Sequence, residues 1–237
     1  MGWGQKCGLT AKIREALLPS ATPEYFLLPN QQRVALSDLW SGLLASSPVE
    51  FVGVITGVAC VWLAARNSIW NFPTALVSCA LYVIVFWDAR LYSDMALQGV
   101  FIALAFYGWY QWLYGGPQAQ ELPVTRAKAR QWIWLSAVGV VYAAGVGYAL
   151  SQYTDAAIPY WDSSTTAISL VAQVLLTRKK IENWLLWLVV DVAYVGLYWH
   201  RELYLTAGLY AAYLVLAAYG YFEWRRLLRS TLQPQTA

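Results

Sequence analysis

Long apolar stretches, separated by short polar segments, run from residue 49 to residue 223 of the chain. Seven of them contain the roughly 17 to 25 mostly apolar residues that an α-helix needs to cross a lipid bilayer. They comprise residues 49–65, 69–87, 95–114, 132–151, 160–177, 182–199 and 203–223. The pattern predicts an all-α multi-pass membrane protein with seven transmembrane helices.

Two polar segments precede or interrupt this pattern. Residues 115–131 contain two glycines, two prolines and three basic residues, which predicts a loop or linker outside the lipid. Residues 1–48 lack the continuous apolar core and small-residue cleavage site of a signal peptide. Within them, residues 36–44 carry apolar side chains at the helical period, which predicts an amphipathic helix lying on the membrane surface.

The chain contains an internal duplication at an offset of 112 residues, which places residues 66–112 on residues 178–224 without a gap. Common apolar residues can match by chance, but Asn, Gly and Trp pairs in one ungapped run are hard to obtain that way. The identical pairs include Asn71 with Asn183, Tyr82 with Tyr194, Gly108 with Gly220 and Trp112 with Trp224.

Each predicted repeat holds three spans, and the fourth span lies between the repeats. The predicted divisions are an N-terminal segment (1–48), a first repeat (49–114), a linker with the fourth helix (115–156), a second repeat (157–224) and a tail (225–237). The second repeat enters the membrane after four crossings, so the repeats are parallel, in a 3+1+3 arrangement. Transporters with parallel repeats bind substrate near the bilayer midplane at the repeat interface. The alternative is a duplicated structural bundle without a pathway.

Composition and charge narrow the class of protein. The chain is 59% hydrophobic and 12% charged, whereas soluble domains average about 25% charged residues. A soluble domain, a disordered chain and a disulfide-stapled secreted module are therefore excluded. The net charge of +3 is too small to indicate a nucleic-acid-binding protein.

Basic residues predict the orientation, because Lys and Arg are retained on the cytoplasmic side. The short loops on the opposite side hold only Arg90 and Arg201. We expect the N-terminus outside and the C-terminus in the cytoplasm. The basic residues after spans one, three, five and seven are Arg66, Arg126, Lys128, Arg130, Arg178, Lys179, Lys180, Arg225, Arg226 and Arg229.

Asp191 is the outstanding ionisable residue within a predicted span. It follows Ile181 by ten residues, which places it about 15 Å along the sixth helix, close to the bilayer centre. Trp184, Trp187 and Asp191 have i, i+3, i+7 spacing and lie on one helical stripe. Two indole faces and a carboxylate together can form a binding site for a flat cation. For Trp184 alone, an interfacial anchor is an equal alternative.

Four amides complete the set of candidate substrate-binding residues. Gln98 and Gln173 lie within predicted spans three and five, and amides cannot face lipid without losing hydrogen bonds. Asn71 and Asn183 occupy matched positions at the starts of spans two and six. For these two asparagines, helix capping or interhelical hydrogen bonding is as good an interpretation as ligand contact.

The residue types missing from the spans exclude several functions. All five lysines lie outside the spans, which excludes a retinal protein with an intramembrane Schiff base. His200, the sole histidine, lies at a loop, so no HExxH metal site or Ser-His-Asp triad is present. We expect no catalytic residue, no metal and no cofactor, and therefore a protein that is not an enzyme. Without a basic residue in mid-span, a cavity disfavours phosphorylated substrates.

Four strings of the chain resemble the PnuC family of bacterial vitamin B3 transporters, and the similarity extends from about residue 48 to residue 224. The strings are Asn183-Trp-Leu-Leu-Trp-Leu-Val-Val-Asp191, Pro159-Tyr-Trp-Asp-Ser163, Thr177-Arg-Lys179 and Tyr107-Gly-Trp-Tyr-Gln-Trp112. The resemblance implies a SWEET-like fold, a homotrimer, the bacterial cytoplasmic (inner) membrane and uptake of nicotinamide riboside. It also implies facilitated diffusion, with a cytoplasmic riboside kinase trapping the substrate by phosphorylation.

In that family a Trp-x-x-Trp-x-x-x-Asp/Asn stripe contributes to the substrate site, which implies this role for Trp184, Trp187 and Asp191. A pyridinium cation, a carboxamide and a ribose without phosphate suit indoles, a carboxylate and amides. Two alternatives stay open. One is a SWEET-like sugar carrier, which leaves the stripe unexplained, and the other is a membrane receptor that binds a small ligand without transporting it.

Overall fold

The structure is a computed structural model and describes residues 48–88, 92–154, 158–200 and 204–232. The predicted amphipathic helix at residues 36–44 lies outside the described residues. The described ranges contain seven α-helices and, apart from a single parallel bridge between Thr125 and Lys180, no β-structure. The helices are α1 (Pro48–Ala65), α2 (Asn71–Asp88), α3 (Tyr92–Tyr114), α4 (Ala129–Tyr153), α5 (Pro159–Thr177), α6 (Asn183–His200) and α7 (Tyr204–Leu232).

The all-helical prediction is confirmed, with one helix at each predicted span. By length and composition alone, two of the described helices, α2 and α4, are apolar enough to cross a bilayer. Helix α7 continues to Leu232, beyond the end predicted for the seventh span, because Trp224 and Leu228 extend its buried stripe by another turn. Helix α4 begins at Ala129, so the loop after α3 is shorter than predicted.

The helices form two sets of three. Helices α1, α2 and α3 pack in sequence, as do α5, α6 and α7. The two sets meet where α1 packs on α7 and where α3 packs on α5. Helix α4 packs mainly on α5, and among its residues only Gly147 is buried. The core between the sets therefore excludes α4.

The helix boundaries repeat at the offset found in the sequence. Helices α2 and α6 both contain 18 residues and both begin at an asparagine, Asn71 and Asn183. The side-chain amide of each asparagine donates to a backbone carbonyl three residues earlier, at 2.6 Å in both cases. The same local hydrogen bond thus starts the second helix of each set.

The turns before these two helices also match. Asn67 and Lys179 have positive φ angles of 53° and 47°, which ends α1 and α5 in the left-handed region. The following amides, of Ser68 and Lys180, donate to Leu63 and Leu175 at 2.9 Å. This is the Schellman arrangement, which satisfies carbonyls that a helix end leaves open.

The segment between α3 and α4 crosses the α5–α6 turn. The amide of Thr125 donates to the carbonyl of Lys179 at 3.0 Å, and the amide of Ile181 donates to the carbonyl of Thr125 at 3.0 Å. The side chain of Lys180 donates to the hydroxyl of Thr125 at 2.7 Å, and Glu182 accepts from the amide of Ala127 at 2.9 Å. These bonds fix the linker to the second set of helices.

Candidate functional site

A small cavity of about 20 Å³ lies between the two sets of helices. Its walls come from α1 and α2 on one side and from α5 and α6 on the other, and none of its lining residues is charged. The lining residues are Gly57, Cys60, Val61, Ala64, Asn71, Gln173, Leu176, Trp184 and Trp187.

Four of the predicted site residues line this cavity together: Asn71, Gln173, Trp184 and Trp187. The cavity brings side chains from α2, α5 and α6 to one place, although they are far apart in the sequence. The lining thus brings two amides and two indoles together, although a cavity of this volume has room for only about one water molecule. A larger ligand would require these side chains to move apart.

Trp184 is buried within the bundle, with 1% of its surface exposed. Its ring packs edge-on against Trp224 at 5.5 Å between centroids. It also lies over Gly220, where an added Cβ would stand 2.7 Å from the ring. The indole Nε1 is buried and has no hydrogen-bond partner. This position differs from that of an interfacial anchor, whose ring faces lipid headgroups.

Asp191 lies one helical turn beyond Trp187 on the same buried stripe of α6 and is fully buried. Neither of its carboxylate oxygens has a hydrogen-bond partner. A buried carboxylate without a cation or hydrogen-bond donors is destabilised. An unpartnered carboxylate beside two buried indoles therefore favours a cationic ligand.

Two tyrosines that were not among the predicted site residues continue this stripe past Asp191, and both pack against a third tyrosine on α7. The rings of Tyr194 and Tyr198, on α6, lie 4.6 and 5.2 Å from that of Tyr210 on α7. The hydroxyl of Tyr194 donates to Thr165 at 3.0 Å. The available signal for the two tyrosines of α6 was their spacing of three and seven residues from Asp191, which places them on the same helical face.

The remaining two predicted residues are buried but do not line the cavity. Gln98, on α3, is fully buried. The side-chain NH2 group of Asn183 donates to the carbonyl of Lys180 in the α5–α6 turn. Its side-chain oxygen is buried and has no hydrogen-bond partner. Asn71 makes the same turn contact and also lines the cavity. Cys60 and Gly57 line it too, and nothing in their sequence context marks them for this role.

Lys179 is the one buried cation among the residues that the structure describes, and it lies outside the helices. Only 3% of its surface is exposed, and its ammonium group stands 4.3 Å from the centroid of the Trp112 ring. Burial lowers the pKa of Lys179 to about 8, and the charge of Glu121 partly opposes this shift. The described residues contain no cluster of His, Cys, Asp and Glu that could hold a metal ion.

A family model described as nicotinamide mononucleotide transporter matches residues 47–226. The chain belongs to this nicotinamide mononucleotide transporter family. It is therefore an integral membrane protein of the transporter class, and the resemblance to PnuC proteins found in the sequence is confirmed.

Named relatives agree with this assignment. The chain is 30% identical over 201 residues to the nicotinamide riboside transporter PnuC of Escherichia coli, covering 74% of this chain and 84% of that protein. It is 29% identical over 181 residues to the riboflavin/roseoflavin transporter RibM of Streptomyces davaonensis, covering 74% and 83%. A crystal structure of the vitamin B3 transporter PnuC matches with a TM-score of 0.62 at 26% identity, covering 82% of this chain and 88% of that one.

Proposed function

We propose that this member of the family carries nicotinamide riboside across the bacterial inner membrane by facilitated diffusion. The observation that carries the proposal is the buried stripe of α6. There Trp184 and Trp187 face the inter-repeat cavity, and Asp191 lies one turn further on, without a partner. Relatives named as nicotinamide riboside transporters support the same substrate.

The chemistry of the ligand fits these residues group by group. The pyridinium ring of nicotinamide riboside is flat and cationic, so it suits indole faces and the carboxylate of Asp191. Its carboxamide can exchange hydrogen bonds with the amides of Asn71 and Gln173. The ribose hydroxyls are neutral donors and acceptors and need no charged partner.

The uncharged cavity wall supports the riboside over the mononucleotide named in the family description. A phosphate group carries close to two negative charges near neutral pH. None of the lining residues is basic, so a bound phosphate would be desolvated without a counter-charge.

The proposed architecture is the 3+1+3 arrangement of the SWEET-like fold. Residues 49–114 and 157–224 form the parallel repeats, residues 115–156 hold the linker and α4, and residues 225–237 follow the second repeat. The matched boundaries of α2 and α6 and the matched turns before them support this division. The excess of basic residues after α1, α3, α5 and α7 supports a cytoplasmic C-terminus and an external N-terminus. The homotrimer is proposed from the family resemblance alone.

A facilitator accumulates substrate only if the product is removed. We therefore include a cytoplasmic riboside kinase as the functional partner, because a phosphorylated product would not fit the uncharged cavity and would stay inside.

Competition binding tests the proposed substrate directly. Nicotinamide riboside should bind the purified protein saturably, nicotinamide mononucleotide should bind at least tenfold more weakly, and excess glucose or riboflavin should not displace the riboside. Displacement by glucose would support a sugar carrier, and displacement by riboflavin would support a flavin carrier. Riboside binding without flux in liposomes would support a receptor.

A further inference from the structure

Two tryptophans make reciprocal hydrogen bonds across the boundary between the repeats. The indole N–H of Trp112, on α3, donates to the carbonyl of Leu176 on α5 at 3.1 Å. The indole N–H of Trp224, on α7, donates to the carbonyl of Ala64 on α1 at 3.1 Å. Both partners shift together by the 112-residue offset of the duplication, so the two bonds are symmetric.

These bonds are accepted by residues that line the cavity. Ala64 and Leu176, the two acceptors, are cavity-lining residues in the last turns of α1 and α5. Trp112 and Trp224 are 1% and 0% exposed, and their ring centroids are 5.8 Å apart. We call this end of the bundle, which also holds the α1–α2 and α5–α6 turns, the turn end.

Each tryptophan is held by a matched aromatic contact within its own repeat. Trp112 packs edge-on against Phe72 at 5.0 Å, and Trp224 packs edge-on against Trp184 at 5.5 Å. Since Trp184 is also a cavity residue, the position of its ring is coupled to that of Trp224. A ligand that moves Trp184 would act on the contact between the repeats.

We propose that Trp112 and Trp224 form the gate at the turn end of the pathway, and that the gate opens when their bonds to Leu176 and Ala64 break. The inference rests on the proposed transport function. Packed interfaces switch between discrete arrangements, and two equivalent hydrogen bonds across one boundary provide a closed state of defined geometry. In the proposed topology this gate faces the cytoplasm.

Replacing either indole by a ring that cannot donate a hydrogen bond should shift the equilibrium between the closed and the open gate toward the open state. Trp112→Phe and Trp224→Phe each remove one donor across the repeat boundary, while the carbonyls of Leu176 and Ala64 keep the turn amides of Lys179 and Asn67 as donors. Loss of one such bond changes an equilibrium by about threefold to tenfold. Because the two bonds are symmetric, we expect the two variants to behave alike.

Cys60 provides a native reporter, because its thiol lines the cavity. In a Cys7→Ser, Cys79→Ala background it is the single remaining cysteine. A membrane-impermeant thiol reagent is applied to membrane vesicles of either orientation. We expect both Phe variants to label about threefold to tenfold faster than the parent from the turn end only, and nicotinamide riboside to slow the labelling.

Trp134→Phe is the matched control, since Trp134 lies on α4 with 64% of its surface exposed. The gate proposal would be overturned if both folded Phe variants label at the parental rate. It would also be overturned if the labelling rate of Cys60 rises from both ends of the bundle. If the Phe variants fail to fold, 3-benzothienylalanine at position 112 keeps the ring size and removes only the N–H. An unchanged rate in that protein would equally overturn the proposal.

Binding of nicotinamide riboside to the same samples separates the two proposals. Unchanged labelling together with intact riboside binding rejects the gate alone. If Cys60 labelling changes in the Trp112 and Trp224 variants but the protein does not bind nicotinamide riboside, the proposed substrate is rejected and the proposed gate is kept.

Discussion

Lys179 occupies in the second repeat the left-handed backbone position that Asn67 occupies in the first, with φ angles of 47° and 53°. Asparagine adopts this conformation readily, whereas a long side chain is strained in it. Lys179 is also buried, and its ammonium group lies against Trp112. The two repeats thus share the turn, with a residue suited to it in the first repeat and a residue less suited to it in the second.

We expect Lys179→Asn to stabilise the protein near neutral pH, because it relieves backbone strain and removes a buried charge. The gain should be about 1 kcal/mol, since the lost cation–aromatic contact offsets part of it. Thermal unfolding in detergent measures this, with Arg126→Asn, at an exposed position outside the helices, as the control. A lower melting temperature for Lys179→Asn than for its parent would contradict this account.

The same variant should change the pH dependence of stability. Burial lowers the pKa of folded Lys179 to about 8, from an ordinary value of 10.5. Between these values the unfolded chain holds a proton that the folded protein has released, so the unfolding free energy contributed by Lys179 rises with pH. Below pH 8 the penalty of burying the charge is present in full. The difference in stability between Lys179→Asn and its parent should therefore shrink as pH rises through this window, and parallel curves would refute the assignment.

Trp187→Ala should weaken nicotinamide riboside binding by roughly 1 to 2 kcal/mol, the scale of a desolvated cation–aromatic contact. Trp199→Ala is the control on the same helix, because Trp199 is 66% exposed, whereas Trp187 is 1% exposed. Titration calorimetry gives both affinities. Equal affinities for the two variants would remove Trp187 from the site.

Asp191→Asn keeps the shape of the side chain and removes its charge. We expect it to weaken binding of nicotinamide riboside by about tenfold or more, as loss of a close buried charge partner does. The same variant should raise the melting temperature, because a buried carboxylate without a partner is destabilising.

The reduced, uncharged dihydronicotinamide riboside is the control ligand for this variant. It should bind parent and Asp191→Asn with similar affinity, since it has no cation to pair. If Asp191→Asn weakens both ligands equally, the carboxylate is not the counter-ion.

Gly220→Ala should destabilise the protein and weaken binding, because the new methyl group would stand 2.7 Å from the Trp184 ring. Overpacking of this kind costs about 1 to 3 kcal/mol. Gly208→Ala, on the same helix, meets nothing within 4 Å and should be neutral or slightly stabilising. Thermal unfolding and riboside titration of both variants compare the two sites. A Gly220→Ala protein as stable as Gly208→Ala would contradict the close packing of Trp184.

Much of the fold could be predicted from the sequence, because it follows from local pattern. Apolar runs place the seven helices, and the 112-residue offset anticipates equal helices at Asn71 and Asn183. The docking of Thr125 on Lys180 could not be predicted, since an isolated backbone bridge between distant segments leaves no periodicity.

The candidate site was predictable in part: Asn71 on α2 and Gln173 on α5 were among the predicted residues that line the cavity, besides the stripe of α6. The stripe of α6 follows from helical spacing, and its burial is seen in the structure. Cys60 and Gly57 were not predictable as cavity residues, because small residues in an apolar helix are equally suited to helix packing. The reciprocal bonds of Trp112 and Trp224 depend on how the two repeats dock, which the sequence of either repeat does not specify.

Uptake of labelled nicotinamide riboside into liposomes containing the purified protein, without an ion gradient, tests the central claim most directly. Empty vesicles are compared with vesicles that enclose a riboside kinase and ATP, and Asp191→Asn serves as the site control. The account predicts saturable equilibration in empty vesicles, accumulation only with the kinase, and slower uptake by Asp191→Asn at low substrate concentration. Accumulation without the kinase, or no protein-dependent flux in either case, would contradict it.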